Sequence, residues 1–140
     1  MVFAGMNYLA VIVAAVGAFA FGAVYYGALG KSWMAALGKT EGELKGPDGK
    51  MSPFPFILSF VAELVMAWAL AGVLGHLGPG QVTVTNGAIS AFFLWLGFVL
   101  TTIAVNNAYA RRKLALTAID AVHWLGVLIV EGVIIGAFGV

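Results

Sequence analysis

The stretch PFPFILSFVAELVMAWALAGVLGHLGPG, residues 53–80, decides the architecture. Pro53 and Pro55 open it and Gly78-Pro79-Gly80 closes it, which brackets one apolar run over about 54–77. At about 1.5 Å of rise per residue, such a helix crosses a hydrocarbon layer about 30 Å thick. Working outward, three further runs of the same kind cover about 3–29, 87–108 and 117–138. The expected fold is all-α: a polytopic integral membrane protein, one four-transmembrane-helix domain over residues 1–140. The runs are continuous rather than alternating, which excludes a β-barrel, and helices satisfy their own backbone in lipid.

Composition agrees. The 140 residues are 62% hydrophobic and 9% charged, with a mean hydropathy of +1.02, whereas a soluble domain is about a quarter charged. A net charge of +1 gives no polyelectrolyte signal, so nucleic acid is excluded as a partner. The absence of cysteine removes thiol catalysis, zinc–thiolate sites and redox switching.

Turn chemistry marks the connections. In the first run Ala18-Phe19-Ala20 resembles a signal-peptide cleavage site, but no basic n-region precedes it and the apolar run continues past it. A retained helix is expected, ended by Gly27 and Gly30, with Tyr25, Tyr26 and Trp33 at headgroup level. Residues 31–37 read as a short interfacial helix. Thr40 and Glu43 have capping-box spacing, weakened by Gly42 and Gly46, and Pro47-Asp48-Gly49 is a turn. Gln81 to Thr85 reads as extended, and Asn86 as the N-cap of the third span.

The basic residues are distributed one-sidedly. Lys31, Lys39, Lys45 and Lys50 lie in loop 30–53, and Arg111, Arg112 and Lys113 in loop 109–116; the remaining connection and both ends carry none. The positive-inside rule therefore places both basic loops in the cytoplasm and both termini outside.

Ionisable groups within spans are costly and demand a reason. On the fourth span, 100° per residue gathers Asp120, His123, Trp124, Val127 and Glu131 into one stripe. Ser59 and Glu63 share a face of the second span; Trp95, Val99, Thr102 and Asn106 share one of the third. From the cytoplasmic helix ends, Asp120 lies about 5 Å deep, His123 about 9 Å and Glu63 about 14 Å. Glu131, about 21 Å deep, has only Asn7 and Ser90 as obvious partners. The candidate intramembrane polar site is thus Glu63, Thr102, Asn106, Asp120, His123 and Glu131, a stepped set suited to a proton or cation path.

Structural readings compete at each position. Thr117-x-x-Asp120 has capping-box spacing, His123 could bond another span, and Glu63 could pair with His123. His76, at the outer end, reads as interfacial. It lies about 20 Å along the normal from His123, too far for both to ligate one haem. No cofactor, metal site or catalytic set is expected.

The small residues Ala14, Ala18 and Gly22, with Gly132-x-x-x-Gly136, form a candidate helix-packing or oligomer face. Packing within one chain and self-association, most simply as a C2 dimer, both fit.

Tyr25-Tyr26-Gly27-Ala28-Leu29-Gly30-Lys31-Ser32-Trp33, then Trp95-Leu96-Gly97-Phe98 with Asn106-Asn107, then Ile119-Asp120 with His123-Trp124, resemble the bacterial membrane family called domain of unknown function 1761. The resemblance covers nearly the whole chain, in order. It implies a small four-helix protein of the bacterial inner membrane and assigns no residue a role. The leading expectation is a non-enzymatic transporter or channel-like protein with a polar intramembrane pathway. The alternative is a structural or accessory subunit packed against a larger membrane complex. Expected partners are the lipid bilayer and either further copies of the chain or such a complex.

Overall fold

The computed structural model describes residues 6–139, and among these every regular element is helical. They are α1 (Tyr8–Leu37), the single turn α2 (Glu41–Leu44), α3 (Phe54–Gly75), α4 (Val84–Tyr109) and α5 (Leu114–Phe138). Four of them, α1, α3, α4 and α5, are long and apolar enough to span a membrane.

Helix α1 does not stop at Gly27 or Gly30. Neither glycine has a neighbour that would force a turn, and nothing polar enters before Lys31 to compete for the backbone. It runs on to Gly38, whose φ of 78° allows Lys39 N–H to reach Met34 O at 3.1 Å. Residues 31–37 are thus the last turns of α1 rather than a separate interfacial helix. The Thr40–Glu43 capping box forms and nucleates α2. Gly49, at φ 73°, closes the turn after Pro47 and Asp48.

At the third span the cap is Thr83, whose hydroxyl accepts from Asn86 N–H at 3.1 Å. Asn86 instead donates its side-chain amide to Gln81 O, so the helix starts earlier than expected and absorbs part of the extended stretch. Within α4, Trp95–Leu100 forms a wide π-type turn. Helix α5 likewise starts early, at Leu114, after a tight reversal that holds Arg111 at φ 56°.

Helix α5 is the hub, packed against α1, α3 and α4. Helix α1 runs antiparallel to α3 and α5, and α4 antiparallel to α5: Phe19 meets Phe60 edge-on between α1 and α3, Gly22 faces His123 between α1 and α5, and Gly87 faces Gly132 between α4 and α5. The core is small-residue and aliphatic, with Ala14, Ala67, Leu70, Leu74, Ala91, Leu128 and Ile135 buried together. Ala14 and Ala18 on α1 are fully buried.

The Gly132/Gly136 face is spent inside the chain. A Cβ on Gly132 would lie 2.7 Å from the Gly87 carbonyl carbon, and one on Gly136 would strike the backbone at Thr83. Gly22 leaves room for the His123 ring, 2.9 Å from where its Cβ would be. The oligomer reading of Ala14, Ala18, Gly22, Gly132 and Gly136 therefore gives way to helix packing within one chain. Carbonyl-to-backbone approach is what a missing side chain permits, and α4 occupies the groove.

Candidate functional site

Helix ends are staggered, and this stagger builds the site. Six residues back from Phe60 brings α3 to its start at Phe54; the matching six residues along α1 from Phe19 reach Tyr25. The last three turns of α1 therefore overhang the beginning of α3. Loop 38–53 folds back beneath them, and a cavity of about 790 Å³ opens in the step. Its lining includes Tyr26 and Trp33 from α1, Glu41 from α2, Asn106 and Asn107 from α4, and Asp120 and Trp124 from α5.

Asp120 sits at the cavity wall. Its Oδ1 accepts the Tyr26 hydroxyl at 2.6 Å, while the adjacent Tyr25 hydroxyl donates to Ile119 O at 2.6 Å. These tyrosines are inter-helix clamps rather than headgroup anchors, because the longer α1 carries them inward from its end. The Thr117–Asp120 capping box is not formed. With α5 beginning a turn earlier, neither residue is at the helix start, and Thr117 Oγ1 instead accepts from Asn107 Nδ2 at 3.0 Å.

One turn deeper, His123 is 6% exposed and boxed by aromatic rings. Ring centroids of Tyr26 and Trp124 lie 4.7 Å away, Tyr25 5.6 Å and Phe21 6.2 Å. Its Nδ1 has no hydrogen-bond partner. The Glu63–His123 pairing is not made.

Glu63 and Glu131 form the second polar centre. They are 1% and 0% exposed, and Glu63 Oε2 and both oxygens of Glu131 lack hydrogen-bond partners. Counting along the antiparallel pairs, both lie level with the buried alanines of α1. The neighbour of Glu131 is therefore Glu63, and Asn7 is occupied at the start of α1, accepting from Ala10 N–H. Depth counted from helix ends missed this because α5 begins well beyond the level of α3.

The wide turn in α4 relocates the rest. One extra residue in a turn rotates everything after it by about 100°. The inward face expected as Trp95, Val99, Thr102 and Asn106 becomes Trp95, Val99, Ile103 and Asn107. Thr102 is exposed, and its hydroxyl donates back to Phe98 O, as Thr101 does to Gly97 O at 2.9 Å. Both hydroxyls serve carbonyls of the wide turn. Asn106 reaches the cavity but not the buried acids. So Asp120 and His123 form one cluster, Glu63 and Glu131 another, and Thr102 belongs to neither. Sequence reasoning missed the inter-helix roles of Tyr26 and of Trp95, whose Nε1 donates to Ala121 O at 2.7 Å. A polar-tipped aromatic well inside an unbroken apolar run was the available signal.

Among the described residues no three His, Cys, Asp or Glu side chains gather to hold a metal ion. His76 is exposed, at the end of α3. No curated protein and no solved structure matches the chain. The family model described as "Protein of unknown function (DUF1761)" matches residues 9–136, and the chain belongs to that family.

Proposed function

We propose that this chain is a small membrane transporter whose polar path runs from the cavity, past Asp120 and His123, to Glu63 and Glu131. The observation that carries the reading is the pair of fully buried carboxyl groups with three unpartnered oxygens. A group left unsatisfied in an apolar interior is expensive, and its retention points to use. In this reading His123, one helix turn from Asp120 and without a partner for Nδ1, relays between the two centres.

The four helices insert in a cytoplasmic-type membrane, with loops 38–53 and 110–113 inside, on the count of their six basic residues and of Lys31 near the end of α1. The chain has no native cysteine, so single cysteines at Lys50 and Gln81 report the orientation. Impermeant maleimide added from outside labels position 81 and not position 50; the reverse pattern overturns the orientation.

The transport reading is tested in proteoliposomes holding a pH-sensitive dye. Proton flux down an imposed gradient falls at least tenfold in Glu63→Gln and Glu131→Gln. Undiminished flux in both variants removes the path.

A second reading, an accessory subunit, draws on α4. Only 6% of its most apolar stretch is buried within the chain, leaving Phe92, Phe93 and Phe98 outward. Lipid covers such a face equally well. A fixed partner, or further copies of this chain, co-purifying through the α4 face together with insensitivity to the glutamate changes would favour the subunit.

A further inference from the structure

The cavity beneath the α1 overhang has a chemical signature beyond its place on the path. Asp120 presents a carboxyl from its wall, with Oδ1 taken by Tyr26 and no donor on Oδ2 among the described residues. The rings of Tyr26, Trp33 and Trp124 line the same space, and Tyr26 and Trp33 meet edge-to-face at 6.2 Å. Asn106 and Asn107 add side-chain carbonyls as acceptors. Among the described lining residues there is no lysine or arginine, although seven occur in the chain. The basic side chains are all exposed, and Lys45 is held at the rim by Glu41 at 3.5 Å. Water and counter-ions screen those charges, whereas Asp120 acts inside an apolar wall.

We infer that this cavity binds an organic ammonium ion, seated between the Asp120 carboxyl and the aromatic faces of Tyr26, Trp33 and Trp124. Electron-rich ring faces attract alkylated ammonium groups, which are too weakly hydrated to resist transfer, and one carboxyl supplies the counter-charge. An anion would meet neutral donors from Ser59 and Asn106 but no cationic side chain among the described lining residues, and it would face the Asp120 carboxyl. An uncharged apolar molecule would gain nothing from Asp120. The inference rests on the polar-path reading for its purpose, but its test measures binding without flux. Binding without flux would leave a receptor site and remove the carrier; flux through Glu131 without binding would keep the path and remove this ligand.

The probe is choline, titrated calorimetrically into the full chain in maltoside micelles beside its uncharged isostere 3,3-dimethyl-1-butanol and beside acetate. Choline binds at least tenfold more tightly than the isostere, and acetate does not bind. Asp120→Asn weakens choline at least tenfold and Trp33→Leu at least threefold, each checked for unchanged helicity and elution. Equal binding of choline and isostere, binding of acetate, or no binding of choline by the wild-type chain overturns the inference. So does Asp120→Asn with unaltered affinity. Displacement of choline by micellar phosphatidylcholine assigns the ammonium to a lipid headgroup; no displacement assigns it to a soluble cation.

Discussion

Gly87 on α4 and Gly132 on α5 meet backbone to backbone, with no room for a methyl group on either. This contact ties the third span to the hub helix and sets their separation. It makes the small-residue face a clasp within the chain.

Gly132→Ala should therefore lower the thermal midpoint in detergent, by about 1–3 kcal/mol of overpacking, because the atoms it strikes are backbone and cannot swing aside. Gly27→Ala provides the contrast. Nothing lies within 4 Å of its Cβ position, and alanine favours a helix interior by up to about 1 kcal/mol, so stability should hold or rise. Equal loss in both would show that the close approach does not matter.

Deleting Gly97 should restore a regular turn in α4 and rotate Ile103 and Asn107 off the α5 face by about 100°. The Asn107–Thr117 hydrogen bond is lost, with destabilisation of about 2 kcal/mol. Gly97→Ala keeps the residue count and has open space for its methyl, so it should be close to neutral. Thermal melts of the two variants read the difference directly; a deletion as stable as wild type would mean the wide turn sets no register.

Tyr26→Phe removes the donor to Asp120 and leaves the carboxyl facing aromatic rings. A cost of about 1–2 kcal/mol is expected, halved or better in an Asp120→Ala background, which has no acceptor, since the two positions share one bond. Strict additivity in that double-mutant cycle would show that the 2.6 Å contact contributes nothing.

Replacing Glu131 with Met should leave the protein as stable or more so, by about 1–2 kcal/mol, because an unsatisfied buried polar group gives way to an apolar one of similar length. The same variant should lose flux. A glutamate kept at a cost to stability is what a transport role requires; a large loss of stability would instead assign Glu131 to the scaffold.

The sequence by itself determined the number of spans, their approximate centres, the one-sidedness of the basic loops, and which groups were out of place in an apolar chain. Those are one-dimensional properties: long apolar runs, turn residues at their ends, and Glu63, Asp120, His123 and Glu131 within them. Tertiary structure decided how these groups combine. The wide turn in α4 exchanged Thr102 and Asn106 for Ile103 and Asn107 because one added residue rotates a helix by a quarter-turn or more, and a strict 3.6-residue period carries no mark of it. The late start of α3 relative to α5 brought Glu131 level with Glu63, and its late start relative to α1 opened the cavity, since axial offsets follow from which small residues let two backbones touch. Whether Gly132 faced lipid, another copy or its own chain turned on the same fact: a missing side chain fits any close partner, and only the packed bundle put Gly87 opposite it.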